Sequence, residues 1–553
     1  MESQGSINTG WATALIAGLA AAGVSRVVIS PGSRSTPLAL ACLRHPSLSC
    51  RVLLDERVAG FYALGLAKAE AGPVVLICTS GSAITNWHPA VAEADMARLP
   101  LILLTADRPP ELQDCGANQT IAQPGAFGPH LRALHSLPPA EPESGWLAGL
   151  AARAVSQSRW PLPGPVQINV PFREPLLAKE PPAVPVAGLS PAVVLPQLVP
   201  PVAALADLAG RFNGRRGVII AGAEPLPAEP MARLAGALDW PVFADPLSGL
   251  RFGGHDLSHV LARADIFLRG RLPAPDYVLR FGAFPVSKPT ALWLKASGAT
   301  QVVVSPDSRW PDPSRQASLL FHADPAAFAE ALAPMIAAPA PDGWFSTFHQ
   351  AETAAGDLVV RSAPVEASVI AAVLRSLPDD SLLFVGNSMP VRDVDSFSGT
   401  AVRRVTVLCN RGTSGIDGNL ASFFGAVASG RFSAAVALVG DLTFLHDIGG
   451  LAAGQGLQAV VCVLDNGGGT IFGHLPQADL PEFEAGWLTP QNADLAAAAA
   501  LWKHSYRKVA PEGLDAALAE VTVASGVTIL HLQIDRAASI ADHRALAAAV
   551  RSS

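Results

Sequence analysis

Two apolar runs in the last third of the chain, residues 434–439 and 459–464, each end on oxygen-bearing residues. The first leads into Gly440-Asp441-Leu442 and the second into Asp465-Asn466-Gly467-Gly468-Gly469. Asp441 and Asn466 lie 25 positions apart, about one strand–helix–strand unit. In an open parallel sheet, ligands bind at the carboxyl ends of the strands. A carboxylate, an amide oxygen and a carbonyl from a glycine-rich turn form a hard oxygen set suited to Mg²⁺, whose shell is usually completed by phosphate and water. Asp441 alone would be an ordinary strand-to-loop residue. With residues 465–469 at this spacing, the stretch 440–472 reads as a magnesium-diphosphate anchor.

The elements that must position this anchor alternate in kind. A helix pattern over residues 8–22 precedes a strand at 26–29, which breaks at Ser30-Pro31-Gly32-Ser33-Arg34-Ser35. A helix to about residue 43, a short strand at 51–54 ending on Asp55-Glu56-Arg57, and a small-residue helix at 58–71 follow. A strand at 74–78 then turns through Thr79-Ser80-Gly81, and one at 101–105 delivers Asp107-Arg108. This alternation is the signature of a parallel sheet covered on both faces. Polar residues fall repeatedly after strands and should share one edge. Seven prolines between residues 181 and 201, beginning with Pro181, Pro182 and Pro185, mark a connector. A plainer α/β block follows, with strands expected at 217–220, 242–243, 266–268, 277–280 and 301–304. A second proline-rich break at 334–341 precedes the block carrying the anchor. The expected organisation is three doubly wound parallel-sheet domains, at residues 1–180, 202–340 and 360–553.

The totals agree with a large folded protein. Half of the 553 residues are hydrophobic and 15% are charged, so extensive disorder is excluded. A net charge of -7 argues against general nucleic-acid binding. The apolar stretch 11–24 contains glycine, is too short to span a bilayer, and has no basic residue before it. Six cysteines without a CxxC pair point to free thiols, several of them buried, in a reducing cytoplasm.

The anchor resembles the diphosphate motif of thiamine-diphosphate enzymes, from which it departs at Leu442 and Asp465. By that resemblance Gly440, Asp441, Leu442 and Asn466 bind cofactor, and Asp441, the Asn466 side chain and the Gly468 carbonyl hold the metal, Mg²⁺ or alternatively Mn²⁺. Such an enzyme needs a carboxyl group facing the aminopyrimidine. Glu56 suits that task, although on its own it would read as a helix-start carboxylate favoured by the helix dipole.

A narrower resemblance comes from an ordered set of motifs. These are Ser30-Pro31-Gly32-Ser33-Arg34, Asp55-Glu56-Arg57, Thr105-Ala106-Asp107-Arg108-Pro109 and Cys115-Gly116-Ala117-Asn118-Gln119 in the first block. Gly386-Asn387-Ser388-Met389-Pro390-Val391-Arg392, Asn410-Arg411-Gly412-Thr413-Ser414-Gly415-Ile416 and Ile471-Phe472-Gly473-His474-Leu475-Pro476 follow. Together they are similar to the thiamine-diphosphate synthase family of menaquinone biosynthesis that makes 2-succinyl-5-enolpyruvyl-6-hydroxy-3-cyclohexene-1-carboxylate. The resemblance implies decarboxylation of 2-oxoglutarate and 1,4-addition of the succinyl unit to isochorismate. Both substrates are dianions, and arginine grips carboxylates in bidentate fashion.

By the same resemblance Ser33, Arg34, Arg108, Asn118, Gln119 and Lys288 face isochorismate, while Ser388, Arg392 and Arg411 hold the succinyl carboxylate. Glu56, Ser388, Arg392 and Arg411 form the catalytic set. Ile416 wedges the cofactor, Ile471 contacts it, and Phe472 and Leu475 are apolar contacts near the reacting carbon. Pro289 stands where the family often has a second cation. His88, on an expected covered helix, and His446 and His474, flanking the anchor, are further acid–base candidates that the chemistry does not require. Glu56 and Asp441 come from different blocks, so the resemblance implies a homodimer, or a tetramer of such dimers. Two rivals stand beside this reading: another carboligase or decarboxylase of the same type, such as an acetolactate-type synthase, and a catalytically silent binding protein.

Overall fold

A computed structural model describes residues 3–178, 190–362, 364–522 and 524–552. The prolines Pro181, Pro182 and Pro185 of the expected connector lie outside the described residues. The chain divides into two compact units. One comprises Met1–Pro196, Asn410–Arg431 and His446–Leu457; the other comprises Gln197–Cys409, Phe432–Leu445 and Gln458–Ser553.

The first unit is built on a six-stranded parallel sheet: β1 (Arg26–Ile29), β2 (Ser49–Val52), β3 (Val74–Cys78), β4 (Leu101–Asp107), β5 (Ala133–Ser136) and β6 (Val166–Pro171), in the order β2-β1-β3-β4-β6-β5. Its central strands β3, β4 and β6 are buried along their whole length, as strands covered on both faces must be. Trp11, Leu15, Ile29, Ile77, Leu104 and Ile168 are core members. Within this unit the helix Asn419–Val427 packs against the helix Glu56–Glu70 at close range. A Cβ on Gly65 would stand 1.9 Å from the Ser422 carbonyl oxygen, and one on Gly425 would stand 2.0 Å from that of Tyr62. The small-residue pattern of residues 58–71 thus serves a backbone-to-backbone crossing.

The second unit holds two further six-stranded parallel sheets. One comprises β7 (Gly217–Ala221), β8 (Val242–Ala244), β9 (Val260–Leu261), β10 (Tyr277–Phe281), β11 (Thr300–Ser305) and β12 (Ala317–His322), in the order β12-β11-β10-β7-β8-β9. The other comprises β13 (Ser381–Val385), β14 (Val405–Leu408), β15 (Ala435–Gly440), β16 (Ala459–Asp465), β17 (Ser505–Lys508) and β18 (Val527–Gln533), in the order β14-β13-β15-β16-β18-β17. The first and third sheets share one topology. In each, strand order reverses between the first and third strands, and such a switch point opens a crevice at the carboxyl ends.

Three local expectations are corrected. The strand expected at 266–268 is the end of the short helix Ala264–Phe267; a three-residue apolar run carries no period that separates the two. The second strand is Ser49–Val52, so Glu56 opens a helix instead of closing a strand. Asp55 caps that helix, its side chain accepting the Arg57 N–H at 2.9 Å. His88 opens the helix His88–Met96 and is exposed, not covered. Strands β5, β6, β9, β12, β13, β14, β17 and β18 add to those expected from the sequence. No disulfide joins the six cysteines; Cys42, Cys78, Cys409 and Cys462 are buried, whereas Cys115 is exposed.

Candidate active site

In the second unit the crevice of the third sheet gathers the anchor. β15 and β16 are parallel neighbours with Gly440 opposite Leu464, so their carboxyl ends lie side by side. Asp441 begins the short helix Asp441–His446 and is 6% exposed. The backbone N–H groups of Leu442 and Gly468 favour its ionised form. Burial, reinforced by the nearby charge of Asp465, pushes Asp441 up to about 6. This carboxylate is therefore poised to gain from a cation.

The turn after β16 supplies the rest. Gly468 has φ +128°, and a Cβ there would stand 2.1 Å from the Leu488 carbonyl oxygen. Gly469 is pressed equally, 2.4 Å from the Trp487 carbonyl oxygen, and donates its N–H to Leu488 at 2.7 Å. Glycines are required here because the turn lies flat against residues 487–488. Asn466 presents a buried side-chain oxygen without a hydrogen-bond partner, an arrangement that costs free energy unless a ligand meets it. Asp441, Asn466 and Gly467 line a cavity of about 420 Å³ together with Gln533 and Asp535. Among the described residues no cluster of three His, Cys, Asp or Glu side chains forms a metal cage. A single carboxylate, an orphaned amide oxygen and a glycine turn fit a Mg²⁺ that takes its remaining ligands from a diphosphate and water.

Asp465 is turned to other work. Its Oδ2 lies 2.8 Å from His531 Nε2, and its Oδ1 accepts the Gly467 N–H at 3.1 Å. The hydrogen bond to His531 is the main reason its carboxyl is held below the usual range. Leu442 is half-buried on the short helix, and Ile471 and Phe472 are half-buried on the turn Thr470–His474. Leu475 is 39% exposed. His474 is neutral at ordinary pH, burial and the neighbouring charges of His543, Arg544 and Arg269 pulling it down to about 4.

Across the same switch point, β13 leads through Gly386-Asn387 into the helix Met389–Phe397. Ser388, at the elbow, has φ 72° and ψ -128°, a conformation that normally requires glycine. Such strain persists where surrounding structure enforces it, and it is concentrated at functional sites. Arg392, one turn on, is exposed and donates from Nη1 to the Ser388 carbonyl. Ser388 and Arg392 are thus brought together. Lys288 is exposed at the start of the helix Lys288–Ser297, after the Ser287 cap. Pro289 occupies the first turn of that helix, where its fixed φ is favourable and its missing N–H costs nothing.

In the first unit the polar residues after β1, β3 and β4 converge. Arg34 and Arg108 are 4% and 8% exposed. Arg34 donates to the Phe172 carbonyl at 2.8 Å and to Glu174 at 2.9 Å. Burial, followed by the charge of Arg108, lowers its affinity for its proton, so the two guanidinium groups feel each other. Arg108 donates to Ser80 Oγ at 3.0 Å. Ser80 Oγ in turn donates to the Gln119 carbonyl at 3.0 Å, and Gln119 Nε2 donates to the Ser80 carbonyl at 2.9 Å. Arg108 and Gln119 therefore meet at Ser80, with the Arg34 guanidinium near enough to Arg108 for the two charges to interact. Ser33 and Asn118 are exposed on the flanking loops.

Below Arg108 lies a buried polar layer. Asn169 donates to Asp107 at 2.8 Å, Thr105 and Gln123 donate to Asn169 Oδ1, and Gln123 Oε1 accepts the Gly81 N–H at 3.0 Å. Thr105 and Asp107 of this layer lie in the motif Thr105-Ala106-Asp107-Arg108 and Ser80 in the strand-end turn Thr79-Ser80-Gly81, but no sequence signal points to Gln123 or Asn169. Glu56 is half-exposed at its helix start, with a long 3.5 Å contact from Asn86 Nδ2. Arg411 and Ile416 are half-buried on the loop before the helix Asn419–Val427, and His446 is exposed.

Three doubly wound parallel sheets, the last with an oxygen-rich crevice at its switch point that fits a metal diphosphate, have the architecture of a thiamine-diphosphate enzyme. Residues 10–126 match the family model "Thiamine pyrophosphate enzyme, N-terminal TPP binding domain", and residues 200–385 match "Middle domain of thiamine pyrophosphate". The crystal structure of benzoylformate decarboxylase from Polynucleobacter necessarius shares the fold, with a TM-score of 0.71 and 17% identity over 95% of this chain and 99% of that one.

Curated relatives narrow the class. A protein of Dechloromonas aromatica is 45% identical, covering 96% of this chain and 100% of the relative. One of Chloroflexus aurantiacus is 40% identical (97% and 95%), and one of Natronomonas pharaonis 38% identical (98% and 98%). Each is named 2-succinyl-5-enolpyruvyl-6-hydroxy-3-cyclohexene-1-carboxylate synthase. The chain belongs to this synthase family, whose members are thiamine-diphosphate enzymes of menaquinone biosynthesis.

Proposed function

We propose that the protein decarboxylates 2-oxoglutarate and joins the remaining succinyl unit to isochorismate in a 1,4-addition, with thiamine diphosphate and a divalent metal as cofactors. When bound, thiamine diphosphate supplies the acidic ring carbon that makes loss of CO₂ from a 2-oxo acid accessible. Asp441, the Asn466 side chain and the Gly468 carbonyl would hold the Mg²⁺ that neutralises the diphosphate. Glu56 would turn its carboxyl group toward the aminopyrimidine. Ile416 and Ile471 press on the cofactor, and Phe472 and Leu475 keep water from the reacting carbon.

Two dianionic substrates need fixed cations, and the substrate reading rests on the arrangement of arginines. The observation that carries it is the pairing of Arg34 and Arg108, two neighbouring buried guanidiniums, one held by the Phe172 carbonyl and Glu174 and the other by Ser80. With Ser33, Asn118, Gln119 and Lys288 they grip isochorismate. Arg392, Ser388 and Arg411 take the distal carboxylate of 2-oxoglutarate. The domains run over residues 1–180, 202–340 and 360–553. The working form is a cytoplasmic homodimer that can pair further into a tetramer, which sedimentation of the purified protein checks. Among the described residues no helix is long and apolar enough to cross a membrane.

The test is direct. Purified protein given thiamine diphosphate, Mg²⁺, 2-oxoglutarate and isochorismate should consume the isochorismate absorbance and release CO₂ in equal amounts. Equal turnover with pyruvate in place of 2-oxoglutarate would overturn the donor assignment.

A further inference from the structure

We infer that Glu93 is a positioning residue that sets Arg411 for the donor carboxylate. This rests on the role given to Arg411 above and adds the device that aims it.

Glu93 lies on the helix His88–Met96 in the first unit, and its side chain is 1% exposed. The loop that carries Arg411 belongs to the same unit. The Glu93 carboxylate accepts the Gly412 N–H at 2.9 Å, the Thr413 N–H at 2.6 Å and the Thr413 hydroxyl at 2.9 Å. Lys68 Nζ stands 3.6 Å away and balances the buried charge. The contact is too close for any side chain at residue 412: a Cβ on Gly412 would lie 2.6 Å from the Glu93 carbonyl oxygen and 2.9 Å from the Ala97 nitrogen.

The other side of Arg411 is pinned as well. Asn410 Nδ2 donates to Ser422 Oγ at 2.9 Å, and Ser422 donates to the Phe61 carbonyl at 3.1 Å. Farther along, Asn419 Nδ2 donates to the carbonyls of Gly415 and Asp417, on either side of Ile416. Arg411 is thus a half-buried side chain between two clamped neighbours. A buried carboxylate holding two successive backbone N–H groups fixes the direction in which the preceding Cα–Cβ bond points. An arginine aimed in this way loses little freedom when it meets a carboxylate, and that is where preorganisation raises affinity.

The experiment uses the full-length holoenzyme and a double-mutant cycle of Glu93→Gln and Arg411→Ala. The glutamine keeps the shape but must point its NH₂ group at a donor. Glu93→Gln should raise the KM for 2-oxoglutarate about tenfold, while the KM for isochorismate and thiamine diphosphate binding stay within about twofold. In the Arg411→Ala background the same change should add little. Thr413→Val, which removes one hydrogen bond and leaves the charge paired, should move the 2-oxoglutarate KM in the same direction by less. It covers the case in which Glu93→Gln fails to fold. Full additivity of the two substitutions, or equal effects on both substrates' KM, overturns the role of Glu93 alone. A 2-oxoglutarate KM unchanged in Arg411→Ala overturns the assignment of Arg411, and the role of Glu93 with it.

Discussion

His531 Nε2 lies 2.8 Å from Asp465 Oδ2, and Nδ1 of the same ring lies 2.7 Å from the Tyr506 hydroxyl. The carboxylate that departs from the usual diphosphate motif is therefore engaged on the side of β17 and β18, and the adjacent Asn466 is left with an unpartnered oxygen beside Asp441. Asp465 is held below the usual carboxylate range mainly by His531. Its contribution to stability is complete above the unfolded value of ~3.9 and is lost as pH falls through the lower folded value. Asp465→Asn should therefore shrink the drop in melting midpoint between pH 6 and pH 3, and thermal melts at the two pH values check this.

The pairing of His543 with Asp393, 3.1 Å apart, predicts the opposite pH sense. Burial opposes charge on His543, but the hydrogen bond and charge of Asp393, with Glu366 nearby, outweigh it and raise the ring to about 9. A raised histidine stabilises fully below its unfolded value of ~6.5, and that contribution is lost as pH rises through about 9. Asp393, pushed up to about 6 by burial, is already ionised across that window. Melting midpoints should fall between pH 6.5 and 9.5 in the parent protein and fall less in His543→Gln.

Gly468 should not tolerate a side chain. Gly468→Ala places a methyl group 2.1 Å from the Leu488 carbonyl oxygen at a φ of +128°, which forces the metal turn away from residues 487–488. Calorimetric titration should show Mg²⁺-dependent thiamine diphosphate binding weakened tenfold or more. Unaltered binding would separate this turn from the metal.

Glu56→Gln should keep cofactor binding, read by tryptophan fluorescence, while turnover falls by about 10²–10⁴-fold, the range of general acid–base contributions. An unchanged rate would remove Glu56 from the chemistry.

The arginines should divide between the substrates. Arg392→Ala should raise the KM for 2-oxoglutarate and Arg108→Ala that for isochorismate, each by about 10–100-fold, in line with ~1.5–3 kcal/mol for a hydrogen bond to a charged group. Steady-state kinetics with one substrate varied at a time would expose a reversed division.

By itself the sequence determined the fold class and which polar residues the last sheet delivers at its edge. Residues 434–439 and 459–464 are continuous apolar runs, and a run buried on both faces must deliver its next polar residue at the sheet edge. That logic places Asp441, Asn466 and Arg108 at strand ends without any knowledge of packing, whereas Ser388 is singled out only by the motif it shares with the family. Other elements eluded it: the apolar run at 266–268 has no readable period, β9 is two residues long, and even the seven-residue β18 was not picked out.

The tertiary structure alone decided how the loops are aimed. Glu93 accepts hydrogen bonds from residues more than 300 positions away, and Gln123, Asn169 and Asp107 meet only because β4 and β6 are paired. Whether Asp465 serves the metal or His531 likewise depends on β16 lying beside β18. Local pattern reports which face of an element is buried. Which polar groups then find each other follows from strand order and crossover, and these are settled by the burial of the whole chain.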